Sequence, residues 1–149
     1  MKIVPLKERY FKEIVEEFVK EYSLPNYAWD RSTAEKYLRQ YFENYAKYCL
    51  VAVDERDRPM GWVLSRRDPY YQGYYLFINP LQVKQLYRGR GVGKALFKKL
   101  IEIAKRDKID GIYLLADKRV NFPLDWYQRL GFEKSGWAEY EARLKDLKL

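Results

Sequence analysis

The first half of the chain alternates between helical and extended patterns of apolar residues. Between residues 8 and 22 apolar side chains recur every three or four positions, as one buried face of a helix requires. They are Tyr10, Phe11, Ile14, Val15, Phe18, Val19 and Tyr22. Ser32 and Thr33 predict the cap of a second helix, which carries an apolar side through Tyr45. A short strand at 2–5 precedes both helices.

Extended apolar runs predict three strands in the middle of the chain. Residues 48–54 and 60–66 form a hairpin around the polar turn 55–58, and a loop over 67–73 leads to a longer strand at 74–83. Pro80 lies inside that long strand. Because proline cannot donate to a strand ladder, it predicts a bulge or an edge at that point.

The second half predicts a strong amphipathic helix at 91–108, a buried strand at 111–116 and a short helix at 123–130 that ends at Gly131. Two further strands are expected at 132–136 and 138–145. The order of elements is typical of an α/β (α+β layered) domain with one parallel crossover between 74 and 116. One domain over residues 1–149 is expected.

Composition narrows the chemistry that the chain can perform. It contains no histidine, which excludes a Ser-His-Asp triad and a histidine-based zinc site, so we expect no metal. The single cysteine, Cys49, lies in an apolar strand and is expected in the core. No apolar run approaches the ~20 residues that span a bilayer, and the charged N-terminal region is unlike a signal peptide. We therefore expect a cytoplasmic protein without membrane partners.

A glycine-rich loop before the strong helix carries the main chemical signal. Gly89, Gly91 and Gly93 alternate with Arg88, Arg90 and Lys94. Glycines let a backbone approach a ligand closely, and the first turn of a helix presents unpaired N–H groups that bind phosphate. Cations at a helix N-terminus are unfavourable unless an anion joins them. The pattern therefore predicts an anion site.

Two common phosphate motifs fit this loop poorly. A Walker loop needs a Ser or Thr after Gly-Lys, but Ala95 follows Lys94. A dinucleotide fingerprint needs Gly-x-Gly-x-x-Gly early in the chain, whereas here the spacing is Gly-x-Gly-x-Gly and falls late.

The stretch from Val83 to Leu96 resembles the acetyl-CoA-binding motif of the GCN5-related N-acetyltransferases (GNAT), Gln/Arg-x-x-Gly-x-Gly/Ala, here Arg88 to Gly93. Residues Trp126 to Phe132 resemble the second family signature, a tyrosine helix that ends in Leu-Gly-Phe. The resemblance covers residues 48–136 well. It implies a mixed, mostly antiparallel sheet of about six or seven strands, flanked by about four helices and splayed between 74–83 and 111–116.

The resemblance also implies roles for individual residues. Backbone groups of Leu81, Gln82 and Val83 would pair with the pantetheine arm of acetyl-CoA, and Tyr127 would protonate the leaving thiolate. Asn121 would contact the pantetheine, although it stands six residues before Tyr127, where the family usually has seven, and Val120 occupies the expected position. The pyrophosphate would lie against the backbone amides of Arg88, Gly89, Arg90, Gly91, Val92, Gly93 and Lys94.

The acceptor side is less defined. The family's glutamate on the long strand is absent, so the base stays open between Glu17, Asp30, Asp68 and Glu139. Two aromatic segments, 22–30 and 68–75, are candidates for an acceptor wall.

The function expected from these features is acetyl-CoA-dependent N-acetyltransfer to a primary amine of a small molecule, an amino acid or a protein N-terminus. Two alternatives stay open: a basic nucleic-acid-binding module, prompted by the net charge of +8 but disfavoured by its ordinary solvated helix faces, and a non-catalytic acyl-CoA sensor. A homodimer is compatible with the sequence.

Overall fold

The computed structural model describes residues 1–25, 28–117 and 121–147, apart from the side chains of residues 121 and 122. By its internal contacts the chain divides into two compact units, residues 1–115 and 116–149. Each unit is described by itself, and the single domain expected over residues 1–149 stays a prediction.

A five-stranded sheet organises the first unit. Its strands are β1 (Lys2–Pro5), β2 (Leu50–Val53), β3 (Pro59–Tyr70), β4 (Gly73–Val83) and β5 (Gly111–Leu114). They lie in chain order across the sheet, antiparallel except for the parallel pair β4–β5. The mixed, mostly antiparallel α/β class predicted from the sequence is confirmed.

Helices α1 (Glu8–Tyr22) and α2 (Arg31–Tyr45) cover one face of this sheet. The apolar stripe predicted for α1 is buried, and it packs with Leu38 of α2 against Val51 and Trp62, which are cross-strand partners. Asp30, rather than Ser32 or Thr33, caps α2, because its Oδ1 accepts a hydrogen bond from the Thr33 backbone N–H at 2.9 Å.

Helix α3 (Val92–Arg106) covers the opposite face. Its buried side consists of Val92, Leu96, Phe97, Leu100, Ile103 and Ala104. Since side chains alternate along a strand, Leu50 and Val63 point to this side while Val51 and Trp62 point to α1 and α2. Strands β2 and β3 are therefore buried on both faces, which is why they read as continuous apolar runs.

Strand β3 is longer than the sequence predicts. The expected loop at 67–73 is instead the end of a hairpin, in which β3 continues to Tyr70 and a tight turn at Tyr71 returns the chain into β4. Tyr71 has a positive φ of 50° and is exposed. Arg67 and Asp68 made this end of β3 read as a loop, but Arg67 stacks over Tyr74 of β4 and Asp68 accepts a hydrogen bond from Tyr113 of β5.

The second unit contains helix α4 (Asn121–Arg129), which is followed by Gly131 with a φ of 94°. Tyr127 is buried, and its ring centroid lies 5.0 Å from that of Trp126 and 5.5 Å from that of Phe132. The strands predicted at 132–136 and 138–145 are wrong, since residues 132–147 include one 3₁₀ turn but no strand. Trp137 and Tyr140 there are largely exposed, and a strand is unstable without partners.

Two expectations from composition concern the described residues. Cys49 is fully buried and burial raises the pKa of its thiol to about 12, so the thiol stays protonated and is structural, as predicted. None of the helices in the described ranges combines the length and the apolar character needed to cross a membrane.

The packing of α2 against the sheet predicts the effect of one core deletion. Leu38 is 0% exposed, so Leu38→Ala should lower the free energy of unfolding by about 2–5 kcal/mol, because it leaves a cavity between α2 and the sheet. Urea denaturation measures this change. Leu86 is 69% exposed, and Leu86→Ala as a control should change stability by less than about 0.5 kcal/mol. Equal losses for both variants would contradict this packing.

Candidate functional site

Strand β4 carries an extra residue at the predicted bulge. Val63 pairs with Leu81 and Ser65 pairs with Ile78, so Asn79 and Pro80 together lie opposite the single residue Leu64. The bulge expected at Pro80 is thereby confirmed. It separates β4 into a first part that pairs with β5 and a second part, 79–83, that does not.

The second part of β4 has an open edge. Pairing with β5 ends at Ile78 and Leu114, and no strand in the described residues 1–115 continues it. On the other edge the Lys84 N–H donates to the Met60 carbonyl at 3.0 Å. Since backbone groups of an antiparallel pair alternate in direction, Gln82 also faces β3, and the N–H and C=O groups of Leu81 and Val83 face the open edge.

The glycine loop, defined as Arg88 to Lys94, follows directly. Gly89 and Gly91 have φ angles of 74° and 77°, and Gly91 is the N-cap of α3. These left-handed conformations are costly for other residues. Six successive backbone N–H groups, from Gly89 to Lys94, donate to no acceptor within the described part of the chain. Such an arrangement of N–H groups at a helix N-terminus is suited to an anion.

Cations of the loop fall into two groups. Arg88 is held by the protein, because its Nη2 lies 2.7 Å from Glu21 Oε1 and its Nε donates to the Val83 carbonyl at 3.0 Å. Arg90 and Lys94 are exposed, and no ion pair joins them to the described residues. They are therefore the side chains free to meet an anion.

A stripe on α1 fixes this region. Glu13, Glu17 and Glu21 recur every four residues and so lie on one side of the helix. Glu13 forms an ion pair with Lys84, the Glu17 carbonyl accepts from Gln82 Nε2 at 3.1 Å, and Glu21 holds Arg88. The end of β4 and the start of the glycine loop are therefore anchored to α1.

Gln82 is almost fully buried, with 4% of its surface exposed. Its Oε1 and the Trp62 Nε1 lack hydrogen-bond partners among the described residues, and the two residues are cross-strand neighbours. The side chain of Gln82 thus holds β4 to α1, while Leu81 and Val83 present backbone groups outward.

An aromatic cluster borders the bulge on the α1–α2 face. It consists of Phe18, Tyr22, Trp29, Tyr37 and Tyr41. Asn79 joins it to the bulge, because its Nδ2 donates to the Tyr37 hydroxyl. Burial raises the pKa of Tyr37, and the neighbouring Tyr41 adds to this effect, so its hydroxyl stays protonated. Part of the predicted aromatic segment 22–30, residues 26 and 27, lies outside the described residues.

Of the four candidate bases, Asp30 is engaged elsewhere. The Asp30 side chain caps α2, and that hydrogen bond lowers the pKa of its carboxyl. Glu17 is half-buried, and the group that meets Gln82 is its backbone carbonyl and not its carboxylate, so Glu17 stays a candidate. Asp68 instead lies on the α1–α2 face of the sheet, where it accepts hydrogen bonds from Arg66 and from the Tyr113 hydroxyl. Tyr113 was missed in the sequence, because it stands in an apolar run that indicates only a core strand.

The remaining predicted residues belong to the second unit. Tyr127 lies in α4 and Glu139 in the exposed C-terminal segment. Helix α4 begins at Asn121, but the side chain of Asn121 and the whole of Val120 lie outside the described residues. The roles predicted for Tyr127, Asn121 and Glu139 therefore stay predictions.

Comparison with known proteins adds a family. The model of the acetyltransferase (GNAT) family matches residues 11–132. N-acetyltransferase family 8 member 3 of Mus musculus is 24% identical over 139 residues, which are 86% of this chain and 61% of that protein. N-alpha-acetyltransferase 30 of Saccharomyces cerevisiae is 30% identical over 105 residues, which are 64% of this chain and 58% of that protein. The chain thus spans about three fifths of these relatives.

Solved structures share the fold. A chain in a crystal structure of the NatC complex bound to Gag peptide and CoA has a TM-score of 0.76 and 25% identity, with 91% of this chain and 87% of that chain covered. A transcriptional regulator from Bacillus halodurans C-125 has a TM-score of 0.77 and 22% identity, with 95% and 99% covered.

The left-handed glycine of the loop predicts a loss of anion binding on substitution. Gly91→Val should weaken the binding of CoA at least tenfold, because a side chain at a φ of 77° costs roughly 1–2 kcal/mol and displaces the donor N–H groups. Isothermal titration calorimetry measures the Kd. Gly136 has open space around it and no positive φ, so Gly136→Val is the matched control. An unchanged Kd for Gly91→Val would refute the assignment of the loop.

Proposed function

The chain belongs to the acetyltransferase (GNAT) family, and we propose that it transfers the acetyl group of acetyl-CoA to a primary amine by direct attack on the thioester. The observation that carries this proposal is the glycine loop, where six backbone N–H groups at the start of α3 lack acceptors among the described residues, immediately after an open edge of β4. A phosphate-rich thioester needs both features, one for its pyrophosphate and one for its extended arm.

Binding of the cofactor would use backbone groups more than side chains. The pyrophosphate would accept hydrogen bonds from the amides of Arg88 to Lys94, with added attraction from Arg90 and Lys94. The pantetheine amides would pair with Leu81 and with the Val83 N–H as an added strand pairs with a sheet edge, since Arg88 Nε already meets the Val83 carbonyl. Asn121 is a further contact in this proposal, and no metal is required.

Chemistry would take place where the open edge meets the bulge. Attack of the amine on the thioester carbon places negative charge on the carbonyl oxygen, and a backbone N–H of the open edge, that of Val83 or its neighbour Leu81, would stabilise it. The thiolate then leaves and needs a proton, for which Tyr127 is the proposed donor. Its ring is buried and packs against that of Phe132.

The acceptor would enter from the α1–α2 face. The aromatic cluster around Tyr37 reaches the bulge through Asn79, which supports a site for an organic amine with an apolar neighbouring group. One relative is named as an N-alpha-acetyltransferase, and one structural neighbour holds a peptide together with CoA. These relatives favour the α-amine of a peptide or protein among the primary amines.

Other aspects of the proposal follow the sequence. We expect a cytoplasmic protein that does not bind nucleic acid and that is compatible with a homodimer. The net charge of +8 is explained in this proposal by a polyanionic cofactor together with solvated helix faces.

The activity is tested by the release of free CoA from acetyl-CoA in the presence of different amines. Peptides with a free α-amine should release CoA faster than the same peptides with a blocked N-terminus, and small polyamines and lysine complete the panel. Mass spectrometry of the product should show one added acetyl group. Binding of acetyl-CoA without turnover of any amine would instead support the sensor, and salt-sensitive binding of an oligonucleotide without acetyl-CoA binding would support the nucleic-acid module.

Replacement of the proposed acid separates catalysis from binding. Tyr127→Phe should lower kcat about 100-fold, because the thiolate must leave without a positioned proton donor, and the Kd of acetyl-CoA should change little. Initial rates of CoA release measured over a range of pH give kcat, and calorimetry gives the Kd. Tyr140 is 92% exposed, so Tyr140→Phe is the matched control. If Tyr127→Phe kept the kcat of the wild type across the pH range, Tyr127 would be excluded as the acid.

A further inference from the structure

A polar chain crosses the sheet near the point where β4 and β5 separate. The Tyr113 hydroxyl on β5 donates to Asp68 Oδ2 on β3 and so reaches across β4. Both Asp68 oxygens lie 3.0 Å from Arg66 Nε. Tyr113 pairs with Phe77, one step before Ile78 and Leu114, where the parallel ladder ends.

These groups lie on the α1–α2 face of the sheet. Trp62 and Leu64 of β3 pack against α1 and α2, and alternation along the strand places Arg66 and Asp68 on the same side. The aromatic cluster and Asn79 border this face too. The polar chain is therefore on the side from which an acceptor would enter, next to the opening proposed for the thioester.

The surroundings favour a neutral phenol at Tyr113. Burial raises the pKa of Tyr113, and the hydrogen bond to Asp68 raises it further, so the phenol keeps its proton at neutral pH. Arg66 stacks over Phe77 with its guanidinium carbon 4.5 Å from the ring centroid, which fixes the cation beside Asp68.

Other titratable groups near this chain are phenols. Tyr70 of β3 and Tyr75 of β4 stack with centroids 4.5 Å apart, and Tyr70 also stacks on Tyr113. From α2, Tyr41 contributes to the electrostatic environment of Arg66, as Arg66 does to that of Tyr37. Within residues 1–115, Asp68 is thus the carboxylate that Tyr113 contacts.

We propose that Tyr113 and Asp68 together form the base that deprotonates the acceptor ammonium, with Tyr113 in contact with the amine and Asp68 positioning it and accepting its proton. This inference rests on the proposed acetyl transfer. It fills the role for which the long strand offers no glutamate, and it assigns that role to side chains on the two strands flanking β4.

Protons balance in this scheme. An N–H bond of the ammonium breaks and its proton passes to the Tyr113 oxygen, while the Tyr113 proton passes to the Asp68 carboxylate. The free amine then forms a bond to the thioester carbon and the carbon–sulfur bond breaks. The second amine proton ends on the CoA sulfur by way of Tyr127, and Asp68 returns the first proton to water.

The test compares variants over a range of pH in the CoA-release assay. Asp68→Asn and Tyr113→Phe should each lower kcat at neutral pH at least tenfold and move the rising limb of the kcat–pH profile to higher pH, because hydroxide or water must then remove the proton. Asp68→Glu, which keeps the carboxylate, should recover part of the rate and the original limb. Tyr48 also donates its hydroxyl to a carboxylate, that of Asp107 at 2.7 Å, but lies outside this chain of groups, so the profile of Tyr48→Phe should match the wild type.

Folding and cofactor binding are measured on the same samples. Unchanged melting temperature and unchanged Kd for acetyl-CoA would assign the loss to the proton step, and Asp68→Glu keeps the test valid if Asp68→Asn is unstable. An active wild-type protein whose Asp68→Asn and Tyr113→Phe profiles are unshifted would overturn the inference and leave the acetyl transfer standing. A wild-type protein without turnover of any amine would refute the proposed function itself.

Discussion

One interruption of hydrogen bonding determines the arrangement of the first unit. Strand β4 is longer than β5. An extra residue at Asn79–Pro80 shifts the register of β4 against β3 between Val63 and Ser65. Unpaired backbone groups are costly in a protein interior, so a strand that keeps an open edge beyond Ile78 needs either water or a partner there. The glycine loop also needs water or a partner, since its N–H groups lack acceptors in the described chain. The open edge and the glycine loop therefore form a continuous path of backbone groups, from the bulge to α3, that need hydrogen-bond partners.

Such a path has to be held rigid by neighbouring elements. Helix α1 does this with residues four apart, which contact Lys84, Gln82 and Arg88 in turn. Its other buried residues, including Phe18, belong to the aromatic cluster and the core. The same helix thus supports the open edge, the loop and the proposed acceptor wall, and the orphaned Gln82 oxygen is the one buried side-chain acceptor of the described chain left unsatisfied in that support.

Sequence patterns predicted the elements that depend on local periodicity. The spacing of Tyr10 to Tyr22 gave the bounds of α1, and Pro80 gave the bulge, because both signals are contained in neighbouring residues. The end of β3 was missed because Asp68 there finds a partner, Tyr113, across the sheet. Tyr113 was missed for the same reason: its role depends on contact with a residue 45 positions away. At the C-terminus, the alternation at 132–145 indicated strands, but alternation alone supplies neither a partner strand nor a buried face.

The two left-handed glycines have a consequence for stereochemistry. A Cβ atom built at Gly89 or Gly91 would meet no atom of the described residues within 4 Å, its chain neighbours aside, so without a ligand the loop has room for a side chain and is limited by the sign of φ. A residue of D configuration prefers positive φ, as an L residue prefers negative φ. The loop without a ligand therefore discriminates by handedness and not by size: D-alanine, introduced by chemical ligation, would suit the backbone that L-alanine strains. Among the encoded amino acids glycine suits these positions, because it is achiral and adopts positive φ without strain.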